Sequence, residues 1–212
     1  MQKIILIICL FLSVQLNATK INKYNDLGMK YELGKGVTID YTLALKYYDI
    51  ACKEDFYRAC SNLGYLYHNG LGVPKNTSKA LQLYTKACNN GNTMGCYNLG
   101  TLYRDGEGVS INYKKSQKLF RTSCLQGHYE ACTSLAIQYD RGQGVTKDSK
   151  RALELYTLAC NKNEKYACHI LGYIYLIGDG VTKNKTKAIE LYEKACKLKS
   201  DYACEELKKN RQ

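Results

Sequence analysis

The chain has 212 residues, 45% of them hydrophobic, with 20 tyrosines, one proline and no tryptophan, a length that suits one ordinary domain or a set of repeats. Eleven cysteines exclude a typical cytosolic protein and point to an oxidising compartment or a metal-rich site. The formal charge of +12 is spread as lysines with no dense arginine cluster and no recognised binding motif, which sets nucleic acid aside and leaves acidic glycans, phospholipid surfaces or cell-wall polymers.

The first element is a leader. Lys3, an apolar run from Ile4 to Leu12, and small or polar residues up to Ala18 fit a secretory signal peptide over residues 1–18. The run is well short of the roughly 20 residues that span a bilayer, so no transmembrane segment is expected. Cys9 lies inside it without the small residue that a lipoprotein cleavage site needs. Removing the leader leaves ten cysteines.

From residue 19 to 209 the chain follows a 36-residue period. NDLGMKYELGKGV from Asn25 returns as SNLGYLYHNGLGV from Ser61, YNLGTLYRDGEGV from Tyr97, TSLAIQYDRGQGV from Thr133 and HILGYIYLIGDGV from His169. The repeats run over about 21–56, 57–92, 93–128, 129–164 and 165–200. Each opens with a helical pattern that sets Leu63, Gly64 and Tyr67, then Leu99, Gly100 and Tyr103, on one face. A glycine inside a helix costs about 1 kcal/mol against alanine. Its return at 28, 64, 100 and 172, with Ala136 in the remaining copy, predicts close approach of a neighbouring helix.

The first helix of each repeat then stops at paired glycines such as Gly70 and Gly72, and a valine follows to tuck the turn onto the core. Asp40, Asn76, Asn112, Asp148 and Asn184 are N-caps for the second helices. Those helices carry Ala80, Leu83, Tyr84 and Ala87, or Ala152, Leu155, Tyr156 and Ala159, on their apolar face. Such a helix pair cannot bury that face alone, so repeats must stack. The predicted fold is all-α: a right-handed α/α superhelical solenoid of about five helix-turn-helix repeats, its concave side lined mainly by first helices. DYACEELKK at 201–209 starts a sixth first helix and serves as a C-terminal cap.

The cysteines stand at 52 and 60, 88 and 96, 124 and 132, 160 and 168, and 196 and 204. Zinc needs a cluster of four ligands, whereas each C-x7-C supplies two, and His68, His128 and His169 occupy different places in different repeats. No C-x-x-C occurs for redox exchange. Structural disulfides remain, and counting chooses the partners. Tyr24 replaces the cysteine in the first repeat, so pairing within a repeat strands Cys52 and Cys204, whereas Cys52–Cys60, Cys88–Cys96, Cys124–Cys132, Cys160–Cys168 and Cys196–Cys204 strand none. No metal and no cofactor are expected.

The pattern N-L-G-x-x-Y-x-x-G-x-G-V, followed by the K-A and Y-x-x-A-C elements of the second helix, resembles the Sel-one-like repeat, a relative of the tetratricopeptide repeat, over about residues 22–209. With its cysteine spacing and leader, the chain looks like a member of the Helicobacter cysteine-rich protein family. That resemblance implies a secreted or periplasmic solenoid, and for the family penicillin binding with weak β-lactamase activity. The S-x-x-K, S-D-N and K-T-G signals of serine lactamases are absent here. Ser61, Thr133 and Ser134 are hydroxyls near the starts of first helices, without a nameable base.

The leading expectation is a monomeric module that binds a peptide, a protein or a peptidoglycan-related ligand through its concave face; the alternative is the weak lactamase. Tyr67, Tyr103, Tyr139 and Tyr175, with Tyr84, Tyr156 and Tyr192, belong to the frame and are expected in the core. Tyr65, Tyr97 and Tyr173 break the period on first-helix faces, where a solenoid places specificity, and tyrosine offers rigid contact area plus a hydroxyl. Asn62 and Asn98 add amides that can grip an extended peptide backbone.

Overall fold

The structure is a computed structural model and describes residues 21–210. The leader expected over residues 1–18 lies outside the described residues. Among these residues there are eleven helices and no strand, arranged as a solenoid of helix-turn-helix repeats. The first helices are α1 (21–33), α3 (Tyr57–Asn69), α5 (Thr93–Asp105), α7 (Tyr129–Arg141) and α9 (Lys165–Ile177). They alternate with second helices α2 (Tyr41–Lys53), α4 (Thr77–Asn89), α6 (Tyr113–Leu125), α8 (Ser149–Asn161) and α10 (Lys185–Lys197), and α11 (Asp201–Asn210) follows. The chain forms two compact units, one running up to Leu99 with Glu107–Val109, the other comprising Gly100–Gly106 and the chain from Ser110 onward.

Every second helix starts in the same way. The side chains of Asp40, Asn76, Asn112, Asp148 and Asn184 accept a hydrogen bond from the amide three residues on, at 2.9 Å in each case. The same five residues donate their own N–H to the carbonyls of Tyr31, Tyr67, Tyr103, Tyr139 and Tyr175. One short residue type thus closes the loop and opens the helix. The first glycine of the loop, such as Gly70 at φ +68° or Gly142 at φ +67°, takes the left-handed conformation that ends the first helix. The valines behind it, Val73 and Val145 among them, are half-buried.

The close approach expected at the helical glycines is made by an aromatic ring of the same repeat's second helix. A Cβ on Gly28, Gly64 or Gly172 would stand 2.5, 2.7 or 2.6 Å from Tyr48, Tyr84 or Tyr192, and on Gly100 2.8 Å from Phe120. These four rings are fully buried, and each contributes about 1.5–3 kcal/mol of burial energy. The other frame tyrosines depart from the expected core position. Tyr67, Tyr103, Tyr139 and Tyr175 are half-buried. They lie at the loop edge, where Lys115 donates to the Tyr103 hydroxyl at 2.6 Å and Lys187 to that of Tyr175 at 2.9 Å. A phenol can leave its tip in water while its ring covers apolar surface.

Five disulfides join Cys52–Cys60, Cys88–Cys96, Cys124–Cys132, Cys160–Cys168 and Cys196–Cys204, each tying the end of a second helix to the next first helix. Between the paired cysteines the chain turns through one left-handed residue: Asp55, Gly91, Gly127, Asn163 and Lys199 in the successive junctions. Lysines from following second helices close two of these ends. Lys86 donates to the Cys52 carbonyl at 3.0 Å and Lys194 to that of Cys160 at 2.7 Å, each carbonyl also accepting from a backbone amide, at a helix end where the dipole favours a cation. The signal was the lysine of K-A-C, which Thr122 and Leu158 replace in the intervening repeats.

Candidate functional site

A first helix turns one face to its own second helix and, one residue past the glycine, another face outward. Tyr65 and Tyr173 occupy that next position and are 45% and 53% exposed, while Met29, Thr101 and Ile137 at the equivalent position are half-buried. The two tyrosines belong to different units, Tyr65 to the first and Tyr173 to the second. Neither hydroxyl makes a hydrogen bond among the described residues. Each offers a ring and a hydroxyl to a partner.

The remaining sequence candidates sit deeper. Asn62 is half-buried, and its Nδ2 donates to Oδ1 of the buried Asn25 at 3.3 Å, which holds the amide in place. Asn98 is half-buried as well. Tyr97, expected on an open face, is half-buried, and its frame position holds the buried Asn25, Ser61 and Thr133 in other repeats. That column turns towards the packing between helices. The sequence did not separate it from the outer column because both vary between copies.

The hydroxyls considered for lactam hydrolysis are buried. Ser61 Oγ has no hydrogen-bond partner among the described residues. Thr133 Oγ1 donates to Glu164 Oε2 at 2.6 Å, which resembles a nucleophile and base in outline. Glu164, however, is only 7% exposed and caps α9: Oε1 accepts from the Tyr166 amide at 3.0 Å and Oε2 from the Ala167 amide at 2.7 Å. Its oxygens are committed to a helix start and to the Thr133 hydroxyl, which leaves the carboxylate a capping group. Sequence inspection missed this cap because glutamate is an unusual N-cap residue.

The three histidines stand apart. His68 Nε2 meets Glu107 Oε2 at 2.9 Å, and Lys75 reaches the same oxygen at 3.2 Å. These two partners hold the Glu107 carboxyl below its ordinary range, the His68 hydrogen bond contributing most. His128 Nδ1 lies 3.6 Å from Glu130. His169 stacks on Tyr202 with ring centroids 6.3 Å apart, and burial pushes its imidazole below the usual range. Among the described residues no group of three His, Cys, Asp or Glu is placed to hold a metal ion, and no helix is long and apolar enough to cross a membrane.

Residues 24–56, 58–92, 93–128, 130–164 and 165–200 each match the Sel1 repeat. The chain belongs to the Sel1 repeat family. Sel1 repeat proteins are generally scaffolds for protein interaction. A Sel1 repeat protein from Oxalobacter formigenes is similar at 28% identity and a TM-score of 0.82, over 88% of this chain and 76% of that one. The protective antigen c5321 of uropathogenic Escherichia coli, which displays an SLR fold, is similar at 31% identity and a TM-score of 0.74; the match spans 91% of this chain and 42% of that longer one. Helicobacter pylori cysteine rich protein B shares 35% identity over 61% of this chain and 93% of its own, with a TM-score of 0.49. No curated protein matches the chain. Five disulfides between Sel1 repeats are at home in an oxidising extracellular or periplasmic environment.

Proposed function

We propose that this Sel1 repeat protein is a secreted or periplasmic module that binds a partner protein or peptide on its first-helix faces, with Tyr65 in one unit and Tyr173 in the other as contact residues. The observation that carries the reading is the exposure of these two rings at a position where the other repeats cover theirs. A half-exposed aromatic ring supplies contact area at small entropic cost, and aromatic anchors dominate protein interfaces. Asn62, already fixed by Asn25, and Asn98 supply amide groups to the backbone of the bound segment. The disulfides hold the repeats so that little ordering is left to the binding step. A wall-derived peptide fits the same chemistry, and the charge of +12 favours acidic partners at long range.

The test is binding of the oxidised protein to an immobilised peptide array that includes cell-wall stem peptides. Tyr65→Ala and Tyr173→Ala should each weaken the selected peptide by about tenfold, with melting unchanged. Unaltered binding in both variants would remove these faces from the function. Hydrolysis of a chromogenic β-lactam by the folded protein, above a lysate control, would replace the binding reading with an enzymatic one.

A further inference from the structure

The second glycine of each loop packs on the first turn of the preceding repeat's second helix. A Cβ on Gly72 would stand 2.7 Å from the carbonyl carbon of Tyr41, on Gly108 3.1 Å from Thr77, and on Gly144 2.6 Å from the carbonyl carbon of Tyr113. Gly180 has the same place in the repeat and the same left-handed conformation at φ +68°, yet no heavy atom lies within 4 Å of its Cβ position. The last loop therefore stands off the first turn of α8. A cavity of about 240 Å³ opens there, within the second unit, walled by Ala152, Leu153, Tyr156 and Ile174.

Three further features give the cavity chemistry. Tyr156 is only 2% exposed, and among the described residues its hydroxyl has no hydrogen-bond partner; those of Tyr84 and Tyr192 have none either, whereas that of Tyr48 donates to Glu32. Of these three unpartnered phenols, Tyr156 is the one that lines this cavity. Burial, reinforced by Asp140, pushes this phenol well above its ordinary range, so it stays protonated. Asp140 and Asp179 add two carboxylates to the lining against one lining cation, Lys150, while Arg141 lies near enough to act on the Tyr156 phenol in the opposite sense to Asp140. Neither carboxylate has an ion-pair partner within 4 Å among the described residues, and Asp140 only receives the Ser149 hydroxyl at 3.5 Å.

We propose that this cavity is a pocket for one cationic side chain with an aliphatic stem, an arginine or lysine of the bound partner segment. The inference rests on the protein-binding reading above and names what the partner must present. The apolar walls take the methylene stem, the carboxylates take the charge, and the phenol oxygen accepts an N–H that none of the described residues supplies. The volume is below the roughly 300–1,000 Å³ of whole-ligand pockets and suits a single side chain. An anion is disfavoured because the Asp148 carboxylate already occupies the start of α8, accepting from the Arg151 amide at 2.9 Å.

The experiment is an NMR titration of the oxidised protein with N-acetyl-arginine methylamide, beside the norleucine and glutamate analogues. The arginine compound should shift the Gly180 amide and the Ile174 methyl groups saturably, and the norleucine compound should bind about fivefold or more weakly. Asp179→Asn and Tyr156→Phe, with melting checked, should each weaken the arginine compound by about threefold or more. Equal binding of arginine and norleucine compounds, a preference for glutamate, or silence at Gly180 and Ile174 would overturn the proposal. A peptide that shifts Tyr65 or Tyr173 without Gly180 would overturn this pocket and leave the binding faces standing, whereas silence to every peptide would overturn both.

Discussion

Gly64 lies flat against the ring of Tyr84, so close that a Cβ on the glycine would come within 2.7 Å of Cε1 and 2.9 Å of Cδ1. The ring is 1% exposed and has no room to retreat. Gly64→Ala should therefore destabilise the protein by about 1–3 kcal/mol despite the better helix propensity of alanine. Urea unfolding measures this directly. Adding Tyr84→Leu to the alanine variant should recover part of the loss, because the smaller side chain frees the space; a neutral or stabilising Gly64→Ala would refute the packing argument.

Each disulfide closes a short loop across a junction between repeats. On the chain-entropy estimate, replacing Cys88 and Cys96 together by alanine should cost about 2.5 kcal/mol. Neither cysteine is among the proposed contact residues, so binding to a selected peptide should survive at temperatures where the variant is folded. Denaturant midpoints with and without the bond, in non-reducing buffer, give the comparison.

Lys199 adopts φ +65° in the last junction, where Gly91 and Gly127 serve two of the others. A side chain in that region costs about 1 kcal/mol. Lys199→Gly should therefore stabilise the chain by several tenths to about 1 kcal/mol, net of the added freedom of the unfolded state. The carbonyl of residue 199, which accepts from Lys165 Nζ at 3.1 Å, is kept in the variant. A lowered melting temperature would contradict the strain argument.

His68 and Lys75 both donate to Glu107 and depress its folded-state pKa. A depressed carboxylate stabilises the fold above its unfolded-state pKa, and that contribution disappears as the pH falls through the lower folded value. Side-chain NMR should place the Glu107 midpoint below that of an unperturbed glutamate, and His68→Gln should move it back up. The stability change stays small, since the group is partly exposed and screened.

The 36-residue period, read without coordinates, determined the helix-turn-helix order, the five N-caps, the glycine turns and, by counting, the disulfide partners. These features depend on local backbone chemistry: an Asn at 112 caps its own helix, and a Gly at 142 takes its own φ, whatever surrounds them. Burial across the repeat depended on more. Tyr84 and Tyr67 look alike as frame tyrosines, yet one is fully buried and the other half-buried, because one points at a helical glycine and the other lies at the loop edge. Likewise Tyr97 and Tyr173 both break the period, but only Tyr173 lies on an open face.

The last loop makes the division plain. Its G-x-G-V is the same local signal as in the other repeats, and Gly180 has the backbone conformation that signal demands. Whether that glycine touches the helix before it is a distance between two repeats, set by how the surrounding side chains fill the space. Local sequence encodes torsion angles; only the packed tertiary structure decides where a gap remains, and in this protein the gap is beside Tyr156.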